Sequence, residues 1–463
     1  MIRALYYHLP APLQDALVTL EGYRVKRQRL GGGFQSRLRE YLERDAWDEE
    51  RLAAFKVVKR AAALERAARA PFYRAWFSAA GADWRDFVEA ENFRCLPIIR
   101  KSELVADLQA FFPRPPLGTD RTISTSGTTG TSFQFPVSAE AEPDQWAVWW
   151  RYRMRHGIRP GTPCALFASA PILAPSDNGR PYRVNRANRE VRFSIFHIST
   201  ERVGAYLDAF HRHGLRWVHG NPTAIAQFCA CYLESGRSGM IEIDHLTVGS
   251  ENLSPWQVEA MQAVFGRTPR QHYGLAEPVA NISELPDGRL AVDEDFAYVE
   301  FVDNPDHELK HIVGTPYCNT ALALLRYDTG DLCALAEGCD RDDVQRYVET
   351  LDGRSTDYIQ LPGGRRAASL AGPFHGTLGL AGAQLVQHAD QSLTVRYIPG
   401  YGWQGTAALT GLETALRKRI GPELPLRFER VDSIPKTARG KSRLVISEIT
   451  SPDAGSLDRP STL

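Results

Sequence analysis

The chain of 463 residues lacks an excess of charge of either sign: Lys and Arg total 55, and so do Asp and Glu. Without a basic surplus it has no electrostatic footprint for a nucleic-acid backbone, so nucleic acid is not expected among its partners. It is also sparing with cysteine, having seven, an odd number, scattered rather than paired. That pattern reads as free thiols in a reducing compartment, not as a disulfide framework. Long apolar runs are missing too. No stretch of about 18 apolar residues occurs, so no transmembrane helix is expected. Pro10, Pro12 and Asp15 interrupt the most apolar part of the segment from Met1 to Leu20, which speaks against a signal-peptide core. A last absence is chemical: GxxxxGK[ST] occurs nowhere, which counts against a P-loop phosphotransferase. The expectation is a cytoplasmic enzyme.

What is present is ordinary globular composition, 43% hydrophobic and 24% charged, on a chain too long for one core. Residues 1–118 read as a helical lead-in belonging to a large domain, with Phe55, Val58, Ala62 and Leu64 in one periodic stretch. Tyr6, Tyr7 and the basic segment Arg24 to Arg29 leave a membrane-surface role open beside the packed, solvated one. Over 119–353 strands alternate with helices. Val203, Tyr206, Leu207 and Phe210 recur at helical spacing before the stop at Gly214. A strand, Leu215 to His219, follows, and Asn221 with Pro222 behind it predicts a capped helix. Leu246 to Val248 reads as a further strand, and Ser254 and Gly266 bound another helix. Such alternation predicts an α/β fold with a parallel or mixed sheet flanked by helices. Residues 354–450 read as a smaller α+β domain, with strands around Leu393 and Leu426 and a helix from Thr406 to Ile420. The tail, 451–463, has no periodicity and is expected to be disordered.

The sharpest local signal is Ser124-Thr125-Ser126-Gly127-Thr128-Thr129-Gly130-Thr131-Ser132. Glycines admit a ligand close to the backbone, and hydroxyls with main-chain N–H groups make a concave anion site. Taken alone, the segment reads equally as a flexible polar linker. Its company is more telling: Tyr273-Gly274-Leu275-Ala276-Glu277, then Arg326 to Asp331 (RYDTGD), then Gly353-Arg354-Ser355-Thr356-Asp357, then Pro435 to Arg443 (PKTARGKSR).

Five such pieces in this order resemble the adenylate-forming superfamily of acyl-CoA synthetases, luciferases and peptide-synthetase adenylation domains, over about residues 70 to 445. Ala70-Pro71-Phe72-Tyr73-Arg74 and Leu96-Pro97-Ile98-Ile99-Arg100-Lys101 resemble phenylacetate–CoA ligase relatives. Leu9 to Gln14 and Gly31 to Phe34 resemble the CapK-like capsular-polysaccharide biosynthesis proteins within that branch.

The resemblance implies a large domain and a small mobile lid, with ATP and Mg²⁺ as cofactors and a small carboxylic acid as substrate. Thr125, Ser126, Gly127, Thr128, Thr129 and Gly130 would hold the phosphates, with Thr129 counted among the catalytic residues. Tyr273 would stack on adenine, with Gly249, Ser250, Glu251, His272 and Gly274 lining the same pocket. Glu277 would ligate Mg²⁺, Asp331 would accept from the ribose hydroxyls and Arg354 would assist there. Lys441 would bridge the substrate carboxylate and the α-phosphate. The acid would lie against His219, Asn221 and His272, though a helix cap or core role competes for Asn221 and His219. Trp146, Trp149 and Trp150 read as core.

The chain departs from the superfamily pattern at several places. Ala276 replaces the usual Thr beside the metal-binding Glu, Phe133 replaces a phosphate-loop Lys, and Thr356 replaces the hinge Asp. Leu361 to Arg366 lacks the usual glycine-loop pattern, so Arg365 and Arg366 read either as a solvated turn or as a contact for CoA phosphates. Cys339-Asp340-Arg341 stands where relatives carry a CxCG segment, and no structural zinc is expected. CoA or a carrier-protein thiol, or else an amine or hydroxyl, is the expected acyl acceptor. A nucleotide-binding relative without catalysis is the alternative from another class.

Overall fold

The computed structural model describes residues 2–124, 133–168, 170–174, 176–304, 307–339, 341, 344–354, 359–362, 366–367, 370–400, 402–435 and 443–449. The chain divides into two compact units, one of residues 1–253 and 257–352, the other of 254–256 and 353–463.

The lead-in forms α1 (Ile2–Tyr7), α2 (Ala11–Leu30), α3 (Phe34–Arg44), α4 (Glu49–Ala67), α5 (Pro71–Ala80), α6 (Ala90–Phe93) and α7 (Lys101–Ala106). Local chemistry sets the boundaries. Asp48 accepts from the Arg51 N–H at 2.8 Å, and Glu49 and Glu50 fill the first turn of α4, where the helix dipole favours acid. Pro71 opens α5 and Gly81, at φ 63°, closes it.

The periodic stretch in α4 needs correcting. Val58 is 65% exposed, and the buried face is Lys56, Arg60, Ala63, Leu64 and Ala67. Two cations are drawn inward because partners wait there: Lys56 Nζ lies 2.9 Å from Glu294, and Arg60 donates to the Val88 carbonyl beneath the Tyr298 ring. An apolar count cannot foresee a face turned by ion pairing.

Leu64, Tyr73, Phe93, Leu104 and Phe111 share one core with Phe135, Val279, Tyr298 and Leu325. Each such buried side chain contributes about 1.5–3 kcal/mol. The Tyr73 hydroxyl donates to the Leu325 carbonyl at 3.3 Å and accepts from its N–H at 2.8 Å. Arg326, at φ 53°, holds Glu300 at 3.0 Å and donates to the carbonyls of Arg94 and Leu96. The first residue of the Arg326 to Asp331 motif is thus a clamp on the lead-in.

Past the lead-in come β1 (Arg121–Ser124) and β2 (Gln134–Val137), paired antiparallel, and α8 (Ala141–Arg155). The alternating region gives β3 (Cys164–Ala168), β4 (Tyr182–Asn185), β5 (Glu190–Ser194), α9 (Val203–His213), β6 (Trp217–Gly220), α10 (Pro222–Glu234), β7 (His245–Gly249), α11 (Pro255–Phe265) and β8 (Arg270–Gly274). Then follow β9 (Asn281–Glu284), β10 (Leu290–Val292), β11 (Ala297–Asn304), β12 (His307–Pro316), β13 (Tyr327–Leu335) and β14 (Tyr347–Arg354). Strands β3 to β14 join one sheet in the order β11-β12-β13-β14-β10-β9-β8-β7-β6-β3-β5-β4. Its segment β5-β3-β6-β7-β8 is parallel, as the strand–helix alternation predicts. Gly214 ends α9 in the left-handed conformation, and Asn221 caps α10 with Pro222 at its first position, both as read from sequence. The strand expected from Leu215 begins two residues later, at Trp217.

The second unit holds β15 (Ile359–Gln360), β16 (Arg366–Ala367), α12 (Ala371–His375), β17 (Leu380–Gln387), β18 (Leu393–Pro399), α13 (Thr406–Ile420), β19 (Leu426–Arg430) and β20 (Val445–Ser447). Its four-stranded sheet runs β19-β18-β17-β20, with Leu412, Leu416 and Ile420 of α13 packed on Leu385, Leu393 and Val395. The architecture is a large α/β unit with a helical lead-in and a small α+β unit.

Candidate active site

Three neighbouring parallel strands end in glycine: β6 at Gly220, β7 at Gly249 and β8 at Gly274. The carboxyl edge of such a sheet is where open α/β folds receive ligands. At Gly220 the backbone demands glycine: φ is 153°, and a Cβ would stand 2.0 Å from the Phe167 carbonyl oxygen. A Cβ at Gly249 would come within 3.0 Å of the His272 ring.

Beyond Gly274 the chain turns through Leu275 and Ala276 to Glu277. Helix α8 fixes this passage, with Gln145 Nε2 donating to the Leu275 carbonyl at 2.6 Å and Trp149 Nε1 to Asn281 Oδ1 at 2.9 Å. Glu277 is buried and accepts from the Tyr327 hydroxyl at 3.5 Å. The Tyr273 hydroxyl donates to Asp331 Oδ2 at 2.9 Å. Three strands separate β8 from β13 in the hydrogen-bonded order, so the sheet turns back on itself to bring the pair together. Burial first, and the Asp331 charge second, push the Tyr273 phenol well up, so it stays a donor. Thr329 steadies the turn, donating to the Ile312 carbonyl at 2.8 Å and accepting from the Asp331 N–H at 3.1 Å. Ser250 stands at φ 75°, and Glu251 accepts from the Thr223 hydroxyl at 2.7 Å.

A second group of side chains lies on the sheet face covered by α8. His219 Nδ1 is 2.9 Å from Thr247 Oγ1, and its ring lies 6.4 Å from that of His272. His272 packs against Tyr152 at 5.1 Å and Trp149 at 5.6 Å. Burial, with the nearby Arg153 charge, drives the His219 imidazole well below its ordinary value and the His272 imidazole down to about 3. Both are neutral at physiological pH. His272 Nδ1 is sealed from solvent and has no hydrogen-bond partner among the described residues. Asn221 Oδ1 is committed to the cap of α10, accepting from the Ala224 N–H at 3.1 Å.

Sequence reasoning did not single out Thr247 or Arg153, and it took Trp149 as core in preference to a ligand contact. The signal for the last two was available: Trp146, Trp149, Trp150 and Arg153 fall at i, i+3, i+4 and i+7 on α8 and so share one helical face. Thr125, Ser126, Gly127, Thr128, Thr129, Gly130 and Lys441 lie outside the described residues, as does the tail 451–463. Arg354 ends β14, with its side chain outside the described set, and Arg365 lies outside it altogether. Cys333 and Cys339 are buried, free thiols. Among the described residues no group of three or more His, Cys, Asp or Glu is placed to hold a metal, and no helix is long and apolar enough to cross a membrane.

The fold is one shared with adenylate-forming ligases. The chain superposes on a 2-hydroxyisobutyryl-CoA ligase solved in the postadenylation state with 2-HIB-AMP, with TM-score 0.61 and 17% identity, over 85% of this chain and 89% of that one. The same ligase with R3-HIB-AMP gives the same TM-score, identity and coverage. Along its length the chain is similar to Protein CapK of Staphylococcus aureus, 21% identical over 467 residues, which span 97% of this chain and 100% of that protein. No profile of a known protein family matches the chain.

Proposed function

We propose that this protein activates a carboxylic acid with ATP, forming an acyl-adenylate and pyrophosphate, and then transfers the acyl group to an acceptor. The observation that carries the reading is the Tyr273–Asp331 pair at 2.9 Å, with buried Glu277 next in line, at the carboxyl edge of parallel strands in an adenylate-forming fold. Tyr273 offers adenine an aromatic face, and Asp331, an acceptor-only group, suits the ribose hydroxyls. Gly249, Ser250, Glu251, His272 and Gly274 line the nucleotide pocket, and Arg354 assists at the ribose.

Glu277 is the residue that would hold Mg²⁺. One carboxylate with nucleotide phosphates suffices for this ion, so a cluster of protein ligands is not needed. When bound, the ion neutralises charge on the phosphates as the α–β bond breaks. The segment Thr125 to Gly130, including Thr129, would cradle those phosphates. Lys441 would hold the acid's carboxylate and the α-phosphate together for in-line attack, an interaction strongest in the transition state and worth about 3–4 kcal/mol. His219 and His272 border the acid. The setting is the cytoplasm.

For the acceptor, a CoA or carrier thiol is the first reading, in line with the phenylacetate–CoA ligase-like lead-in. The departure at Leu361 to Arg366 from the glycine loop of thioester-forming relatives favours a second, transfer to an amine or hydroxyl of a surface sugar or small metabolite. Pyrophosphate release with Mg·ATP, a panel of acids and hydroxylamine as trap tests the activation step. An acid-dependent signal that falls about 10²–10³-fold in Lys441→Ala, with ATP still bound, is expected. Wild-type-like adenylation in that variant rejects the mechanism, and ATP binding without turnover of any acid points to a nucleotide-binding relative.

A further inference from the structure

The ring cluster between α8 and the sheet, formed by Trp149, Tyr152, His219, His272 and Trp217, ends on a cation without a hydrogen bond or ion pair among the described residues. Arg153 is 4% exposed. Its Nε is sealed without a hydrogen bond, and its guanidinium has neither hydrogen bond nor ion pair with a described residue. Three indole rings box it: Trp150 at 5.2 Å, and Trp146 and Trp217 at 5.5 Å. Cation–π attraction of about 0.5–2 kcal/mol per ring explains how the charge is tolerated. It leaves the five N–H donors of a planar fork unspent. Burial pulls the group down to about 10, with no neighbour strong enough to restore it.

The obvious internal partner is taken. Glu190, at the start of β5, accepts from Arg192 at 2.7 Å and from Asn185 at 2.5 Å. A second cation, Arg29, lies over a shared neighbour, Trp146, at 4.3 Å, and pairs with Glu142 at 3.6 Å. The local field is therefore positive, and an anion is missing from it.

Geometry places this charge at the opposite end of β6 from the Gly220 edge. Trp217, beside Arg153, begins β6, and Gly220 ends it at the edge where activation would occur. Three residues of strand at about 3.3 Å each put roughly 10 Å between the two. Along that path His219 and His272, both neutral, offer donors and acceptors without adding charge. We infer that Arg153 receives a second, distal oxyanion of the acid being activated. The substrate class is then a carboxylic acid that also carries a carboxylate, phosphate or sulfate roughly 10 Å from the reacting carboxyl. A plain acyl chain would instead leave a buried guanidinium facing hydrocarbon, a costly arrangement. The inference rests on the adenylation reading above for the place of the reacting end.

The test uses the full chain, wild type and the variants Arg153→Met and Arg153→Lys, with α,ω-dicarboxylic acids, ω-phosphono and ω-sulfo acids, and monoacids of matched length. Binding is read by tryptophan fluorescence and turnover by pyrophosphate release with hydroxylamine present. Circular dichroism and ATP binding establish that each variant is folded. Wild type is expected to favour one set of dianionic acids over matched monoacids by about 100-fold, a preference that Met abolishes and Lys partly keeps. The member of the series that responds identifies the oxyanion. If wild type and Arg153→Met treat all these acids alike, in binding and turnover, Arg153 is a packing residue and the inference falls. Lys441-dependent turnover of monoacids alone overturns it while the adenylation reading stands. Arg153-dependent binding of a dianionic acid without pyrophosphate release upholds the anion site and overturns adenylation.

Discussion

Arg151 and Arg153 stand two residues apart on α8, both buried, and the protein treats them in opposite ways. Arg151 is wrapped by acid, with Asp293 and Asp295 each at 2.7 Å and the Tyr41 carbonyl at 3.2 Å. Asp293 passes the network on to Asn281 and Ser283. Although burial opposes its charge, these carboxylates raise the Arg151 pKa. Arg153 faces indole, and its pKa falls. A buried cation paired with carboxylates is architecture. One with none has been left for something that arrives later. The contrast separates charge that holds the fold from charge available to a ligand, which composition alone cannot do.

The comparison breaks most visibly at Arg151. Arg151→Met takes the nearest cation from two buried carboxylates, Asp293 and Asp295, and is expected to cost about 3–5 kcal/mol, read as a fall in the urea midpoint. Arg153→Met strands nothing, and its midpoint should shift by less than about 1 kcal/mol in either direction. Equal losses in the two variants would erase the distinction. Asn221 sharpens it on the neutral side. If its oxygen serves the helix and not the acid, Asn221→Ala lowers stability by about 1 kcal/mol and leaves the acid preference of wild type in place. A change of preference would return Asn221 to the substrate. The smallest effect concerns pH. His272 titrates near 3 when folded, whereas an unfolded chain protonates it below about 6.5. Its contribution is therefore complete above about 6.5 and is lost as pH falls towards 3. Subtracting the pH–stability curve of His272→Gln from that of wild type should show that slope, and parallel curves would refute it.

Much of the fold was legible because its signals are local. Gly214, Asn221-Pro222 and the Thr406 to Ile420 period each act within a turn or two, and each element forms where those residues place it. The α4 face was misread because Lys56 is buried by Glu294, a residue far away in sequence. The same limit governs the site. Tyr273, Asp331 and Glu277 could be named from their motifs, but the hydrogen bond between the first two depends on a sheet that turns back on itself. Arg153 was passed over for a related reason. Its helical period with the tryptophans was visible, but the lack of a partner is a property of the packed interior.

The two hydrogen bonds between Tyr73 and Leu325 join residues 252 positions apart. On the ribosome that interval amounts to roughly 13–50 s of synthesis, at about 5–20 residues per second. For that time the apolar faces of α4, α5 and α7 are outside the exit tunnel without the strands that complete their core. The lead-in is thus a natural client for chaperones, and a chain that stalls before residue 325 is one that cannot bury it.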